Sequence, residues 1–310
     1  MLKLSKKRHR TDREKSKKIN IMTAKQKNLI VRTITGVLFV AIMVAGFLNA
    51  MAMIVLFSII TALTLWEYTG LVNDRVANVS INRFISTVGG VYFFIAVALW
   101  SVDVVRGFAV MIPYVLTIIY LMISELYAKN KDAVTNMAYT MLGQMYIAMP
   151  FALINILAFK RDAEGNFSEY EMLLPLSIFI LLWSNDTGAY CCGSLFGKHK
   201  LFPRISPGKT WEGSIGGGIF AVIIAGVIGY LANMGAVPHT LNIWQWLGLG
   251  AVVVIFGTWG DLVESLFKRT LGVKDSGNIL PGHGGMMDRF DSSLIAIPAA
   301  VIYLYSLTLF

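Results

Sequence analysis

Long apolar stretches recur along the chain after residue 28, and most of them contain about 20 residues. A helix of that length and composition spans the hydrocarbon core of a bilayer. The chain is 56% hydrophobic and only 15% charged, whereas about a quarter of the residues in a soluble domain are charged. We therefore expect an all-α, polytopic membrane protein built as one membrane domain.

The apolar stretches predict nine membrane-spanning helices. The first is too long for the apolar region of a cleaved signal peptide, so we interpret it as a retained span. The second follows it almost at once, which predicts a tight helical hairpin. The predicted spans are residues 29–48, 50–72, 84–101, 107–127, 134–159, 172–196, 213–234, 243–267 and 287–309.

The distribution of Lys and Arg predicts the orientation of these spans. Residues 1–28 contain eleven Lys or Arg, and the rest of the chain is neutral overall. With the N-terminus in the cytoplasm, 24 basic residues lie inside and 3 outside, as the positive-inside rule requires. We interpret the basic tail as a topology anchor that touches anionic lipid rather than as a nucleic-acid-binding segment.

The chain thus divides into three parts. A basic cytoplasmic tail, 1–28, precedes the N-terminal transmembrane helices, 29–171. The region 172–310 holds the candidate catalytic residues, and its polar loops 197–212 and 268–286 are predicted to face the cytoplasm, where nucleotides are found.

Acidic residues cluster at the ends of the last two predicted spans. Asp261 and Glu264 are three residues apart on one helix, and Asp288 and Asp291 repeat that spacing on the next. Charged groups at membrane depth are costly unless they are paired or bound to a cation. Two acidic faces joined by a hairpin loop can converge on Mg²⁺, which prefers carboxylate oxygens. The alternative is a structural ion-pair cluster with neighbouring Lys and Arg.

Three further segments are candidates for substrate binding. Gly284 and Gly285 precede the last helix, where backbone N–H groups can approach an anion. Lys209 lies in a Gly-Lys-Thr sequence, but Pro203 replaces the first glycine that a Walker A motif needs, so Lys209 is either a phosphate ligand or a topological lysine. Asp186 lies within the sixth predicted span, as part of a polar cavity or of an interhelical clasp. Glu67 and Glu125, near predicted helix ends, are weaker candidates.

These segments resemble the phosphatidate cytidylyltransferase (CDP-diacylglycerol synthase) family. The resemblance is carried by Ser265-Leu266-Phe267-Lys268-Arg269, Lys274-Asp275-Ser276-Gly277, Leu280-Pro281-Gly282-His283-Gly284-Gly285 and Asp288-Arg289-Phe290-Asp291. The segments 206–213 and 185–190 also resemble that family, and residues 1–28 match no part of it.

The resemblance implies an enzyme that makes CDP-diacylglycerol and pyrophosphate from CTP and phosphatidic acid with Mg²⁺. It implies a homodimer in the inner membrane, with the active site facing the cytoplasm. The expected catalytic residues are Asp261, Lys268, Arg269, Lys274, Asp275, His283, Asp288 and Arg289. The expected metal ligands are Asp261, Asp288 and Asp291. The expected nucleotide- or lipid-binding residues are Asn185, Asp186, Ser206, Lys209, Thr210, Glu212, Gly284 and Gly285.

Two alternatives stay open from the sequence. One is a CTP-dependent polyprenol or phytol kinase, and the other is a transporter whose polar residues line an ion path. The complete signature argues against the kinase, and a transporter has no need of a histidine-glycine loop that ends in aspartates.

Overall fold

A computed structural model describes residues 30–105, 107–129, 132–162, 164–236, 241–279 and 284–307. The basic tail therefore lies outside the described residues, as does His283. Helices dominate the described part of the chain and confirm an all-α, polytopic architecture.

Seven helical stretches in the described ranges are long and apolar enough to cross a membrane. They are Ile30–Phe47 (α1), Ala50–Arg75 (α2), Arg83–Ser101 (α3), Phe108–Ala128 (α4), Ala133–Ala158 (α5), Trp211–Met234 (α7) and Ile243–Thr270 (α8). The sixth helix, α6 (Leu173–Phe196), has 24 residues but carries Asn185 and Asp186 within its length. All nine predicted spans therefore contain a helix, while the number that cross the bilayer stays a prediction.

The final predicted span differs from a single helix. A one-turn helix, α9 (Met287–Phe290), is followed by a break at Asp291 and Ser292, and then by α10 (Ser293–Ser306). The α10 helix has only 14 residues. The sequence pattern predicts Asp288 and Asp291 at the start of the last spanning helix. In the structure both residues lie before α10, so that prediction is wrong in this detail.

Two segments that connect predicted spans form short antiparallel hairpins. Strand β1 (Phe159–Arg161) pairs with β2 (Phe167–Tyr170), and β3 (Lys200–Phe202) pairs with β4 (Ser206–Thr210). The second hairpin matters for the site, because β4 leads directly into α7 and fixes where Lys209 lies.

Local chemistry explains where several helices begin or bend. The Asn49 side chain accepts hydrogen bonds from Met51 N and Ala52 N, which caps α2 and closes the predicted tight hairpin with α1. A capping box of Asn242 and Gln245 starts α8. Within α5, the residues Gln144–Ala148 form a π-turn immediately before Met149 and Pro150, where proline removes a helical N–H donor.

Close packing of small residues brings α6 and α7 together. A Cβ atom at Gly188 would lie 3.0 Å from Gly217 Cα, and a Cβ atom at Gly217 would lie 2.5 Å from the carbonyl oxygen of Asn185. Small residues let helix backbones approach in this way in membranes. The contact places Asn185 and Asp186 beside the start of α7.

An aromatic cluster fixes α9 in the centre of the bundle. The ring of Phe290 is 1% exposed and makes edge contacts with Phe151 and Phe179, at centroid distances of 5.3 Å and 6.1 Å. Phe57 from α2 packs on the same cluster, 6.4 Å away. Because Phe290 lies between Asp288 and Asp291, this packing restricts where both carboxylates can be.

Candidate functional site

Four aspartates line one cavity of about 330 Å³ where α1, α6, α8 and α9 meet. Arg289 is the one cation among its lining residues in the described part of the chain. The predicted acids of the last two spans are thus brought together, and Asp186 of α6 joins them. The lining residues are Thr35, Gly36, Phe39, Val40, Trp183, Asp186, Asp261, Asp288, Arg289 and Asp291.

Asp261 is paired with Lys209 from the other predicted polar loop. The Lys209 Nζ atom lies 2.5 Å from Asp261 Oδ2, and both side chains are about one-quarter exposed. Ser265, one turn further along α8, donates a hydrogen bond to Asp261 Oδ1 over 3.3 Å. The hairpin β3–β4 and helix α8 therefore meet at this ion pair.

Asp288 is held on both of its oxygens. Its Oδ1 accepts a hydrogen bond from Lys268 Nζ at 2.5 Å, and its Oδ2 accepts from Ser276 N at 2.9 Å and Gly285 N at 2.8 Å. Gly284 has φ +82°, and a Cβ atom there would lie 2.6 Å from the same Oδ2. The expected phosphate-binding glycines thus wrap Asp288, with the Gly285 N–H directed at its carboxylate.

Glu264 completes this inner ion-pair group. Its side chain is fully buried, and Oε2 lies 2.7 Å from Lys268 Nζ without hydrogen-bond geometry. Lys268 is therefore shared between Glu264 and Asp288. This arrangement resembles the structural ion-pair alternative more than a phosphate-binding lysine.

Glu67 of α2 is the residue whose importance the sequence underestimated. Its buried carboxylate accepts hydrogen bonds from Ser276 Oγ, from Met286 N at 2.8 Å and from Met287 N at 3.1 Å. A Cβ atom at Gly277 or Gly285 would collide with it. The signal in the sequence was an acid inside an apolar stretch, but its partners lie more than 200 residues away.

A second polar cavity of about 340 Å³ lies beside the acidic one and shares Asp186 with it. Lys209, Thr210 and Asn185 line it, and Thr210 also caps α7 through Gly213 N. The Asn185 Oδ1 atom is buried and has no hydrogen-bond partner among the described residues. Such an unpaired acceptor costs free energy unless a ligand or water donates to it.

Several expected site residues lie away from these two cavities. The Arg269 guanidinium donates to the carbonyl oxygens of Ile205 and Val273, over 3.4 Å and 3.1 Å. Glu212 accepts hydrogen bonds from Lys198 N and His199 N and pairs with His199 Nδ1 at 2.6 Å. Both residues order the loops around the site. Ser206 begins β4, opposite Phe202.

Lys274 and Asp275 line a different cleft of about 740 Å³, with Asp74, Arg75 and Arg83 from the far side. The segment 272–279 lies between this cleft and the acidic cavity. Its residues line the cleft, and the N–H of Ser276 donates a hydrogen bond to Asp288 of the acidic cavity. The structure therefore does not bring Lys274 and Asp275 to the four aspartates.

The donor set of the acidic cavity suits a hard cation. In the described ranges, no three His, Cys, Asp or Glu side chains are grouped closely enough to form a complete metal cage. Mg²⁺ commonly binds through one or two carboxylates and takes its other ligands from water and phosphate oxygens. Asp261 is bound by the side chains of Lys209 and Ser265, and Asp291 accepts one hydrogen bond, from Ser292 N at 2.5 Å. Neither is held by three donors as Asp288 is, so both keep more capacity to bind a cation.

Comparison with known proteins gives a consistent result. A model of the cytidylyltransferase family matches residues 29–307. The phosphatidate cytidylyltransferases of Staphylococcus aureus (strain COL) and Staphylococcus haemolyticus (strain JCSC1435) are 41% and 42% identical to this chain over 177 residues. That alignment covers 57% of this chain and 62% of each relative, which is less than two thirds of the relatives' length.

Proposed function

This chain belongs to the cytidylyltransferase family, and from that membership we propose that it converts CTP and phosphatidic acid to CDP-diacylglycerol and pyrophosphate. The observation that carries the proposal is the cavity lined by Asp186, Asp261, Asp288 and Asp291, with Lys209 paired to Asp261 at its edge. The named relatives support the choice of substrates, because they are phosphatidate cytidylyltransferases.

The proposed reaction is a displacement at the α-phosphorus of CTP. An oxygen of the lipid phosphate forms the new P–O bond, the bond from the α-phosphorus to the bridging oxygen breaks, and pyrophosphate leaves with those electrons. The lipid phosphate is already an anion at neutral pH, so the step requires no strong general base. The difficulty is to bring two polyanions together in line, which fixed charges can achieve.

The cationic and polar residues of the two cavities are assigned to different groups of the substrates. Lys209 lines the second polar cavity, pairs with Asp261 of the acidic one, and is the cation we assign to the lipid phosphate. Arg289, which is exposed and lines the acidic cavity, is assigned to the phosphates of CTP. Asn185, with its unpaired Oδ1 atom, is assigned to hydrogen bonding with substrate.

We further propose that Asp261 and Asp291 hold Mg²⁺, with Asp288 supporting them from α9. The cation would neutralise charge on the CTP phosphates and on the departing pyrophosphate. Lys268 bridges Asp288 and Glu264 and holds Asp288 in place, so it acts as a positioning residue rather than as a substrate ligand. We place the active site at the cytoplasmic face of the inner membrane and expect a homodimer, as the family resemblance implies.

A direct assay tests the proposal. Purified full-length protein is incubated with CTP labelled in the cytidine ring, phosphatidic acid and Mg²⁺, and the products are separated by extraction into organic solvent. We expect the label in a CDP-lipid and one pyrophosphate for each lipid formed. Parallel incubations replace phosphatidic acid with a polyprenol or with phytol. A phosphorylated alcohol with the label left in soluble CDP identifies the kinase alternative, and no turnover of CTP with any of these lipids refutes both enzymes.

A further inference from the structure

An apolar groove of about 510 Å³ runs between α7 and α8 on the outside of the bundle. Phe202, Trp211 and Trp259 surround the end nearest the β3–β4 hairpin, and aliphatic side chains line the rest. The lining residues are Leu201, Phe202, Trp211, Ser214, Ile215, Gly218, Ile219, Val222, Ile223, Ala251, Val254, Ile255, Thr258, Trp259 and Leu262.

The groove lies next to the polar cavity that Lys209 lines. Ser214 and Thr258 line both the groove and that cavity of about 340 Å³. An occupant that fills both spaces therefore has a polar head beside Lys209 and an apolar tail between α7 and α8. A water-soluble nucleotide has no apolar tail to fill the groove. An ordinary apolar helix surface has no adjoining polar cavity that could bind a headgroup.

The depth of the groove matches one leaflet of a bilayer. Its lining residues on α7 extend from Trp211 to Ile223, which at 1.5 Å per residue is about 18 Å along the helix. One leaflet of the hydrocarbon core is about 15 Å thick. Tryptophan is enriched in membrane proteins next to the headgroups, and Trp211 opens α7 at the end of the groove nearest the β3–β4 hairpin.

We propose that this groove binds one acyl chain of the phosphatidic acid substrate, with the lipid phosphate beside Lys209. The inference rests on the proposed function and adds the path by which the lipid reaches the site. The tail lies along α7 and α8, and the headgroup enters past Ser214 and Thr258. The phosphate then faces the Asp261 side of the acidic cavity through the Lys209–Asp261 pair.

Photo-crosslinking tests where the tail binds. Full-length protein in phosphatidylcholine vesicles is labelled, without CTP, by phosphatidic acid that carries a diazirine midway along one acyl chain. We expect labelled peptides from α7 and α8, and protection by unlabelled phosphatidic acid but not by added phosphatidylcholine. Equal protection by both lipids would mean that the groove holds bulk lipid only, and labelling confined to other helices would also overturn the inference.

A groove-filling substitution tests the same inference through kinetics. Ala251→Phe places a ring in the groove, and Ala52→Phe places the same ring on an exposed part of α2 as the matched control. We expect Ala251→Phe to raise KM for long-chain phosphatidic acid about tenfold, equivalent to about two buried methylene groups. KM for CTP and the rate with dihexanoyl phosphatidic acid should stay near wild type.

The outcomes separate this inference from the proposed function. Wild-type protein that shows the protected crosslink but makes no CDP-lipid would refute the function and leave the lipid site standing. Active protein in which Ala251→Phe leaves KM for long-chain lipid unchanged would refute the site. If Ala251→Phe instead changes the oligomeric state measured by light scattering, with normal lipid kinetics, a second copy of the chain covers the groove.

Discussion

Lys209 Nζ and Asp261 Oδ2 lie 2.5 Å apart, joining the β3–β4 hairpin to the C-terminal half of α8. Lys209 lies on β4 and Asp261 on α8. Each is a candidate ligand for a different partner: an anionic phosphate for Lys209 and a cation for Asp261. Their pairing neutralises both while neither partner is bound. Binding of substrate and metal must therefore either break the Lys209–Asp261 ion pair or form contacts in addition to it.

Replacing Lys209 tests that competition. We expect Lys209→Met to lower kcat/KM for phosphatidic acid by about 10- to 100-fold, because one charge-assisted hydrogen bond is worth about 1.5–3 kcal/mol. The Mg²⁺ concentration for half-maximal rate should not rise, since Asp261 loses its competing cation. Initial rates measured over both concentrations give the two constants.

Lys200→Met is the control for Lys209→Met, because Lys200 is an exposed lysine on the neighbouring strand and lines none of the cavities described above. It should leave both constants near wild type. If Lys209→Met behaves like Lys200→Met, Lys209 serves membrane topology rather than substrate binding.

Removal of charge at the aspartates tests the metal proposal. Asparagine is nearly isosteric with aspartate but cannot supply the charge that holds Mg²⁺. We expect Asp261→Asn and Asp288→Asn to insert and fold, yet to lose about 100-fold or more in turnover, roughly 3 kcal/mol of transition-state stabilisation. Turnover is measured against Mg²⁺ concentration for each purified variant, and Asn185→Ala should be milder because it removes only a hydrogen bond.

Asp74→Asn provides the comparison for these two variants, since Asp74 is exposed at the end of α2 and lines only the separate cleft. It should keep normal turnover and Mg²⁺ dependence. Near wild-type turnover and Mg²⁺ dependence in Asp261→Asn would refute the metal site, and the same result in Asp288→Asn would make Asp288 a structural partner of Lys268 only.

Much of the helical architecture was predictable because bilayer-spanning helices need long apolar stretches, which are visible in any single sequence. The meeting of Asp261 and Asp288 was predictable for a related reason. Acids at the facing ends of consecutive helices are brought together by the loop that joins them. Placement of Asp186 in the same cavity also follows from a costly charge within an apolar helix.

The remaining features depend on contacts between distant parts of the chain. Lys274 and Asp275 are close in sequence to Asp288. Of these neighbouring residues, however, it is Ser276 that donates a hydrogen bond to Asp288, while Lys274 and Asp275 line the cleft beside α2. The β3–β4 hairpin has no alternating apolar pattern, so nothing local indicated strands. The break before α10 follows Phe290, whose ring packs against rings from four other helices, and no local pattern indicates that packing.

The orientation of the spans can be tested with reporters at the chain ends. The 24-to-3 distribution of basic residues predicts a cytoplasmic N-terminus, and nine spans then place the C-terminus outside. A fluorescent protein that matures only in the cytoplasm should be bright at the N-terminus and dark at the C-terminus, and a periplasmic enzyme reporter should give the opposite result. A bright C-terminal fusion would mean an even number of spans.

Glu67 allows a test of how α2 positions the site. Its carboxylate accepts hydrogen bonds from Ser276 Oγ, Met286 N and Met287 N, on both sides of the loop that holds Asp288. Glu67→Gln keeps the shape but turns an N–H₂ group toward one of these donors. We expect a loss of about 1–3 kcal/mol in stability from the unpaired buried group, and a lower kcat together with a higher Mg²⁺ concentration for half-maximal rate.

A purely structural role for Glu67 predicts a different pattern, which is why both measurements are needed. If Glu67 only stabilises the fold, the folded fraction of Glu67→Gln should have normal kcat per active molecule and normal Mg²⁺ dependence. If it positions Asp288, the Mg²⁺ dependence shifts even at temperatures where the variant is fully folded. Glu164→Gln, an exposed acid in the loop between β1 and β2, controls for loss of charge alone and should change neither quantity.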